Sequence, residues 1–187
     1  IIKEYKPEEK FGEYVYELPS LVTILNFYDN GLLKDESYFD STGQLVNTGN
    51  TDAYYLGYDN YANKVAKYRY EYNDSSKITD KSFYDAKGSL VFKNKYIYDL
   101  NGNKIEDNDY DGNGALLRKV LTKYDSTDSP IERMTYNAEG SLDNVTKYEN
   151  NSDKEIYKMT TYDSDGKVKY AYKFEYNSMG KRDKTIR

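Results

Sequence analysis

The sequence contains no cysteine and no histidine. This excludes disulfides, thiolate or imidazole metal ligands, cysteine nucleophiles, and any catalytic dyad or triad that needs imidazole as its base. Chemistry would have to rest on carboxylates, lysine or tyrosine. Apolar material is also scarce: hydrophobic residues, tyrosine included, make up 37% of the chain and the mean hydropathy is -0.99. A thick sandwich core normally needs more. No apolar run approaches the roughly 18 residues that a spanning helix requires, so no membrane span is expected. There is no basic excess either. Twenty-seven basic and 32 acidic residues leave a net charge of -5, without the positive footprint that nucleic-acid binding draws on. The opening "IIKEYKPEEK" has neither an initiator methionine nor signal-peptide architecture, and the expectation is that a leader or anchor has been trimmed.

What the chain has instead is tyrosine, 24 residues of 187, set in a repeat. Tyr58, Tyr84, Tyr110, Tyr136 and Tyr162 recur every 26 residues and head five units that fill 58–187. A second series, Tyr72, Tyr98, Tyr124, Asn150 and Tyr176, runs half a unit out of phase. Each series is followed by Asp or Asn and then a glycine-rich or polar stretch, as in "YDAKGSL" and "YDLNGNK". That is turn chemistry: the Asp or Asn side chain caps the local backbone and glycine accepts positive φ. Between turns the residues alternate. In 168–176, Val168, Tyr170, Tyr172, Phe174 and Tyr176 interleave with charged or small residues, and a period of two with aromatic enrichment predicts strands. Helix has almost no support.

One stretch invites a different reading. "DNDYDGNG", 107–114, opens like a calcium loop, with Asp107, Asp109 and Asp111 as weak candidate ligands. Yet Asp111 stands in the slot of Asp59, Asp85, Asn137 and Asp163, and the twelfth position, where a bidentate Glu belongs, is Arg118. The stretch reads better as one more copy of the repeated turn. Neither metal nor cofactor is expected.

The expected fold is all-β: a repetitive antiparallel meander of hairpins, with about a dozen strands at two per unit. The organisation predicted is one continuous domain, with N-terminal capping strands in 1–27, an irregular first repeat in 28–57 and five regular repeats in 58–187. Tyrosine rows suit such a thin sheet, because their rings bury area while the hydroxyls stay wet.

The segments "YIYDLNGNKI" (96–105), "FEYNSMGKR" (174–182) and "FYDAKGSL" (83–90) resemble the YD repeats, or RHS repeats, of bacterial surface and secreted proteins. The likeness runs over roughly 27–182. It implies β-hairpin strips that wind into spirals or shells, and an association with surface carbohydrate binding or toxin encapsulation. This chain departs from the family in its longer period, in the near absence of the Arg that follows the glycine (Arg182 comes nearest), and in lacking a self-cleaving segment, so a toxin shell is not expected.

The function expected is that of a non-catalytic, extracellular or surface-bound bacterial module that binds carbohydrate or protein through its tyrosine-rich sheet face. Repetition argues against an enzyme, since catalysis wants one unlike site and the carboxylates here recur almost evenly. The candidate binding residues are Tyr70, Tyr96, Tyr148 and Phe174, one column of the repeat, with Tyr72, Tyr98 and Tyr176 beside them. The competing reading is that these rings only cover the apolar side of the sheet. Two further roles fit the sequence: a structural or adhesive spacer that self-associates edge to edge, and an acidic, toxin-neutralising protein of the immunity type.

Overall fold

The computed structural model describes residues 8–10, 13–15, 22–47, 64–177 and 179–186. Tyr58 and the 48–57 part of the irregular first repeat lie outside the described residues. A short hairpin of β1 (Glu8–Lys10) and β2 (Glu13–Val15) pairs by itself. The other strands are β3 (Val22–Phe27), β4 (Leu33–Phe39), β5 (Lys67–Tyr72), β6 (Ile78–Tyr84), β7 (Leu90–Tyr98), β8 (Lys104–Asp111), β9 (Leu116–Tyr124), β10 (Pro130–Tyr136), β11 (Leu142–Asn150), β12 (Ile156–Asp163), β13 (Val168–Tyr176) and β14 (Arg182–Ile186). These twelve form one antiparallel meander in chain order, with β3 at one end and β14 at the other. No helix occurs among the described residues. The all-β hairpin repeat expected from the alternation is the fold observed.

One local device builds nearly every turn. After β6, the Asp85 N–H donates to the Ser89 carbonyl and the Gly88 N–H to the Asp85 carbonyl, both at 3.0 Å. Asp85 Oδ1 meanwhile accepts the N–H groups of Lys87 and Ser89 at 2.9 and 2.8 Å. The same side-chain pair of bonds recurs at Asn73, Asp125, Asn137, Asn151, Asp163 and Asn177. The fourth residue takes positive φ, as Gly88 does at 81°. This is a type I turn closed by a bulge, the common three-residue hairpin loop. The bulge shifts register at the strand end, for example between Glu71 and Tyr72 and between Glu175 and Tyr176.

The chain divides into two compact units, residues 1–94 with 111–114, and residues 95–110 with 115–187. The first has an aromatic core. Tyr68, Phe83 and Phe92 are fully buried, with the Phe83 ring edge-on to the other two at 5.1 and 5.2 Å. Burial of each ring contributes about 1.5–3 kcal/mol, and each edge-to-face pair adds about 0.5–1.5 kcal/mol. The opposite side of these strands is polar, where buried Asp35 accepts Asn26 Nδ2 at 2.7 Å and faces the Lys67 ammonium at 3.4 Å.

In the second unit the buried positions are largely polar. Asp109, which has 0% exposure, receives Arg118 Nε at 2.7 Å. These two residues stand 26 positions after Phe83 and Phe92, so an ion pair replaces the ring pair of the first unit. Thr146 and Thr161 are buried and share a 2.9 Å hydroxyl bond. On the other side, opposite charges face one another across strands: Lys119 with Glu106 at 3.0 Å, Lys123 with Glu132 at 2.7 Å and Lys158 with Glu149 at 2.6 Å. Such cross-strand pairs set register as well as adding modest stability.

Candidate functional site

The register of the second unit gathers rings on one face. Thr122, Arg133, Thr146, Thr161 and Tyr170 form one row across β9 to β13, and Tyr148, Met159 and Tyr172 form the row beside it. Along β13, Tyr170, Tyr172 and Phe174 then point to this face by the two-residue period of a strand. Their centroids are 5.6 Å apart, edge-on, for Tyr170 and Tyr172, and 6.3 Å apart, stacked, for Tyr172 and Phe174. Tyr170 is 46% exposed, whereas Tyr172 and Phe174 are half-buried. The structure thus brings Tyr148 and Phe174 to a shared face, and adds Tyr170 and Tyr172. Those two were legible, since they share the parity of Phe174 in "VKYAYKFEY".

Tyr96 and Phe174 carry cations over their rings. The Lys104 ammonium lies 4.5 Å from the Tyr96 centroid and the Arg182 guanidinium 3.9 Å from that of Phe174. Lys104 and Arg182 are 78 positions apart, as are Tyr96 and Phe174, so the arrangement is a repeated one. Each cation covers part of a ring face and offers hydrogen-bond donors beside it. In the first unit, Tyr70 stacks on Tyr68 at 6.4 Å, with the Lys81 ammonium 5.7 Å from its centroid.

The out-of-phase column is tied to the backbone. The Tyr124 hydroxyl donates to the Lys104 carbonyl at 3.1 Å and that of Tyr176 to the Ile156 carbonyl at 2.8 Å, each twenty residues back. Where the column holds Asn150, its Nδ2 makes the same bond to the Pro130 carbonyl at 2.9 Å. Tyr72 likewise reaches the Leu33 carbonyl at 2.9 Å. Each side chain therefore clamps one hairpin to the strand before it. Burial, followed by the neighbouring Asp99 and Tyr148, raises the Tyr124 hydroxyl above its ordinary acidity range. Burial does the same for Tyr98, with Asp107 adding to it, and for Tyr72, with Tyr28 adding to it. In the sequence Tyr72, Tyr98 and Tyr176 lie beside the expected binding column, but nothing there signals the hydroxyl bonds of Tyr72 and Tyr176, whose partners are main-chain atoms of the preceding strand.

At "DNDYDGNG" the three carboxylates are engaged from within the chain. Asp107 Oδ2 accepts the Lys104 ammonium at 2.8 Å, Asp109 Oδ2 accepts Arg118, and Asp111 Oδ1 caps its own turn at the Asn113 N–H, 2.9 Å away. No group of three or more acidic side chains is placed to hold a metal among the described residues. Gly112 answers to a different constraint from that of a calcium loop. A Cβ there would collide with the Leu90 carbonyl oxygen.

The fold and its faces define a class: an all-β hairpin repeat with Asp- or Asn-capped turns and tyrosine rows. No family model matches the chain, and no curated protein matches it. Among solved structures it is similar to TcdB2-TccC3, with 13% identity and a TM-score of 0.32 over 87% of this chain and 10% of that one. It is also similar to a porin-like protein from Bacteroides uniformis ATCC 8492, with 12% identity and a TM-score of 0.41 over 84% and 54% of the two chains. A protein of unknown function from Bacteroides fragilis NCTC 9343 shares 17% identity at a TM-score of 0.29, over 64% of this chain and 88% of its own. The chain spans 10% of the length of the first of these and 54% of the second. Among the described residues, no helix is long and apolar enough to cross a membrane.

Proposed function

We propose that this chain is a non-catalytic binding module of the YD-repeat kind, borne on a bacterial surface or secreted, and that it takes an extended glycan along its ring-bearing sheet face. The observation that carries the reading is the run of Tyr170, Tyr172 and Phe174 on β13. Three rings at 5.6 and 6.3 Å intervals, open at Tyr170 and capped by a guanidinium at Phe174, form a ladder suited to stacking successive sugar rings. Tyrosine and phenylalanine supply apolar faces for this, and their neighbours supply polar groups. Tyr148 and Tyr96 extend the ring-bearing column, while Tyr72 and Tyr176 hold the hairpins that present it.

The test is a polysaccharide and glycan array probed with the intact chain and with Tyr170→Ala, Phe174→Ala and Tyr148→Ala. A glycan retained by the chain and lost by the folded variants supports the reading. If no glycan is retained, the face packs on protein or serves only as cover. A second reading, an adhesive spacer, is favoured by β14, whose five residues are all exposed and which pairs with β13 alone. Such an edge is a template for another strand, although Arg182 and Lys184 guard it. Self-association in sedimentation would favour the spacer.

A further inference from the structure

In the second unit, neighbouring turns are joined through the gap between them. Asn101 and Asn103 donate their Nδ2 groups to Asp128 Oδ1 at 2.8 and 2.7 Å. In the next gap the Lys154 ammonium enters and donates to the Thr127 carbonyl at 2.8 Å. The nearby Asp125 carboxyl is held below its ordinary range, first by the Thr127 hydroxyl and also by this ammonium. An alkylammonium group of the repeat thus already bridges the gap between two turns.

In the first unit the gap between the turn at 28–32 and the turn at 73–77 is open, as a cavity of about 370 Å³ lined by Tyr28, Asn30, Glu71, Tyr72, Asp74 and Ser76 among others. One residue sets the first of these turns apart. Among the described turns this alone begins with an aromatic residue, Tyr28, where the others begin with Asp or Asn. The Tyr28 and Tyr72 rings stand at 87° with centroids 6.3 Å apart. Both hydroxyls are turned to the backbone, to the Tyr70 and Leu33 carbonyls at 2.9 Å, so the rings rather than the hydroxyls wall the corner. The Lys34 ammonium, 5.6 Å from the Tyr28 centroid, shows that this ring accepts a cation. Glu71 and Asp74 are exposed, and neither has an ion-pair partner among the described residues.

We infer that this cavity is a binding site for a small organic ammonium ion. A tyrosine face attracts a cation through its quadrupole, as Tyr28 does with Lys34. The two uncompensated carboxylates add Coulomb attraction, and the cavity has room for methylated as well as unmethylated head groups. Its place in the repeat matches that of the gap bridged by Lys154. The site is independent of the β13 ring ladder, so either can fail while the other stands.

The test is titration of the intact chain with tetramethylammonium, with methylammonium and with neutral tert-butanol, followed by the ring-proton NMR shifts of Tyr28 and Tyr72. Saturable shifts with either cation, and none with tert-butanol, are expected. Stronger binding of tetramethylammonium would mean that ring contacts dominate; stronger binding of methylammonium, that N–H bonds to Glu71 and Asp74 do. The double variant Glu71→Gln/Asp74→Asn, altered only at exposed positions, should keep its melting temperature and weaken binding about tenfold. Raising the salt to about 1 M should weaken it too. Equal response to the neutral probe, or no saturable response to either cation, overturns the inference. Binding seen only in Lys34→Gln would also overturn it, by showing that the chain's own lysine fills the cavity.

Discussion

At the scale of single residues, the repeat is governed by the conformation each turn demands. Eight described glycines take positive φ, but Ser76, Asp128 and Lys154 hold the equivalent conformation at 60°, 64° and 65°. A side chain there is strained where glycine is not. Asp128 and Lys154 have compensating bonds to neighbouring turns, whereas Ser76 sits exposed. Ser76→Gly is therefore expected to stabilise the chain by about 0.5–1 kcal/mol, read as a higher urea midpoint at unchanged slope; a lower midpoint would count against the strain. The glycine columns were plain in the sequence, and so was the Asp or Asn that caps each turn. The three departures were not interpretable there, because a missing glycine looks the same whether the turn has changed or has kept its shape under strain.

At the scale of strands and hairpins, the most informative contrast is between Phe83 with Phe92 and Asp109 with Arg118. Equivalent positions hold a buried ring pair in one unit and, in the other, an ion pair whose carboxylate is buried and whose guanidinium is part-exposed. An ion pair in such a place matches only its own partner. It would discriminate correct pairing from a slip by one whole repeat, a danger inherent in near-identical hairpins. Removing one partner should be costly: Asp109→Asn is expected to cost about 1–3 kcal/mol, since it leaves the part-exposed Arg118 without its charge partner. Asp109→Phe/Arg118→Phe should recover much of that loss in thermal melts, but should fold with more misregistered or associated species in sizing experiments. Recovery with no added heterogeneity would confine the pair to a local role. Strand boundaries and parity could be read from the alternation of "VKYAYKFEY" and its fellows. The polar buried row could not, because nothing in a period-two pattern says that a strand's inner residue is an aspartate.

At the scale of the whole chain, charge and hydroxyl chemistry act together across many copies. The carboxyls of Asp40 and Asp125, bonded first by the Thr42 and Thr127 hydroxyls, and of Asp99, bonded by the Asn103 N–H, lie below their ordinary value. Glu106, bonded by Asn108 and Lys119, and Glu149, bonded by Lys158 and Tyr157, lie below theirs. Depressed carboxyls contribute stability that is present above the unfolded values, near 3.8 and 4.5, and is lost as the pH falls through the lower folded ones. Raised groups act at the other end: Tyr72, Tyr98 and Tyr124 through burial, Lys123 through Glu132 and Lys158 through Glu149. Their contribution is complete below the unfolded values, near 10.0 and 10.5, and is lost as the pH rises through the folded ones. Melting temperature against pH should therefore show a plateau across neutrality with a fall on each side, and Tyr124→Phe should soften the alkaline fall. An unchanged alkaline limb in that variant would contradict the part assigned to its hydroxyl. The proposed function divides the aromatic residues in two, those whose hydroxyls clamp hairpins and those whose faces would meet a ligand. The measurement that tests it most directly sets glycan affinity beside melting temperature for Phe174→Ala and Tyr176→Phe. Loss of binding with the fold retained in the first, and a stability loss of about 0.5–1.5 kcal/mol with binding retained in the second, is the expected result. Both variants losing stability alone, with no glycan bound by the parent chain, would contradict it.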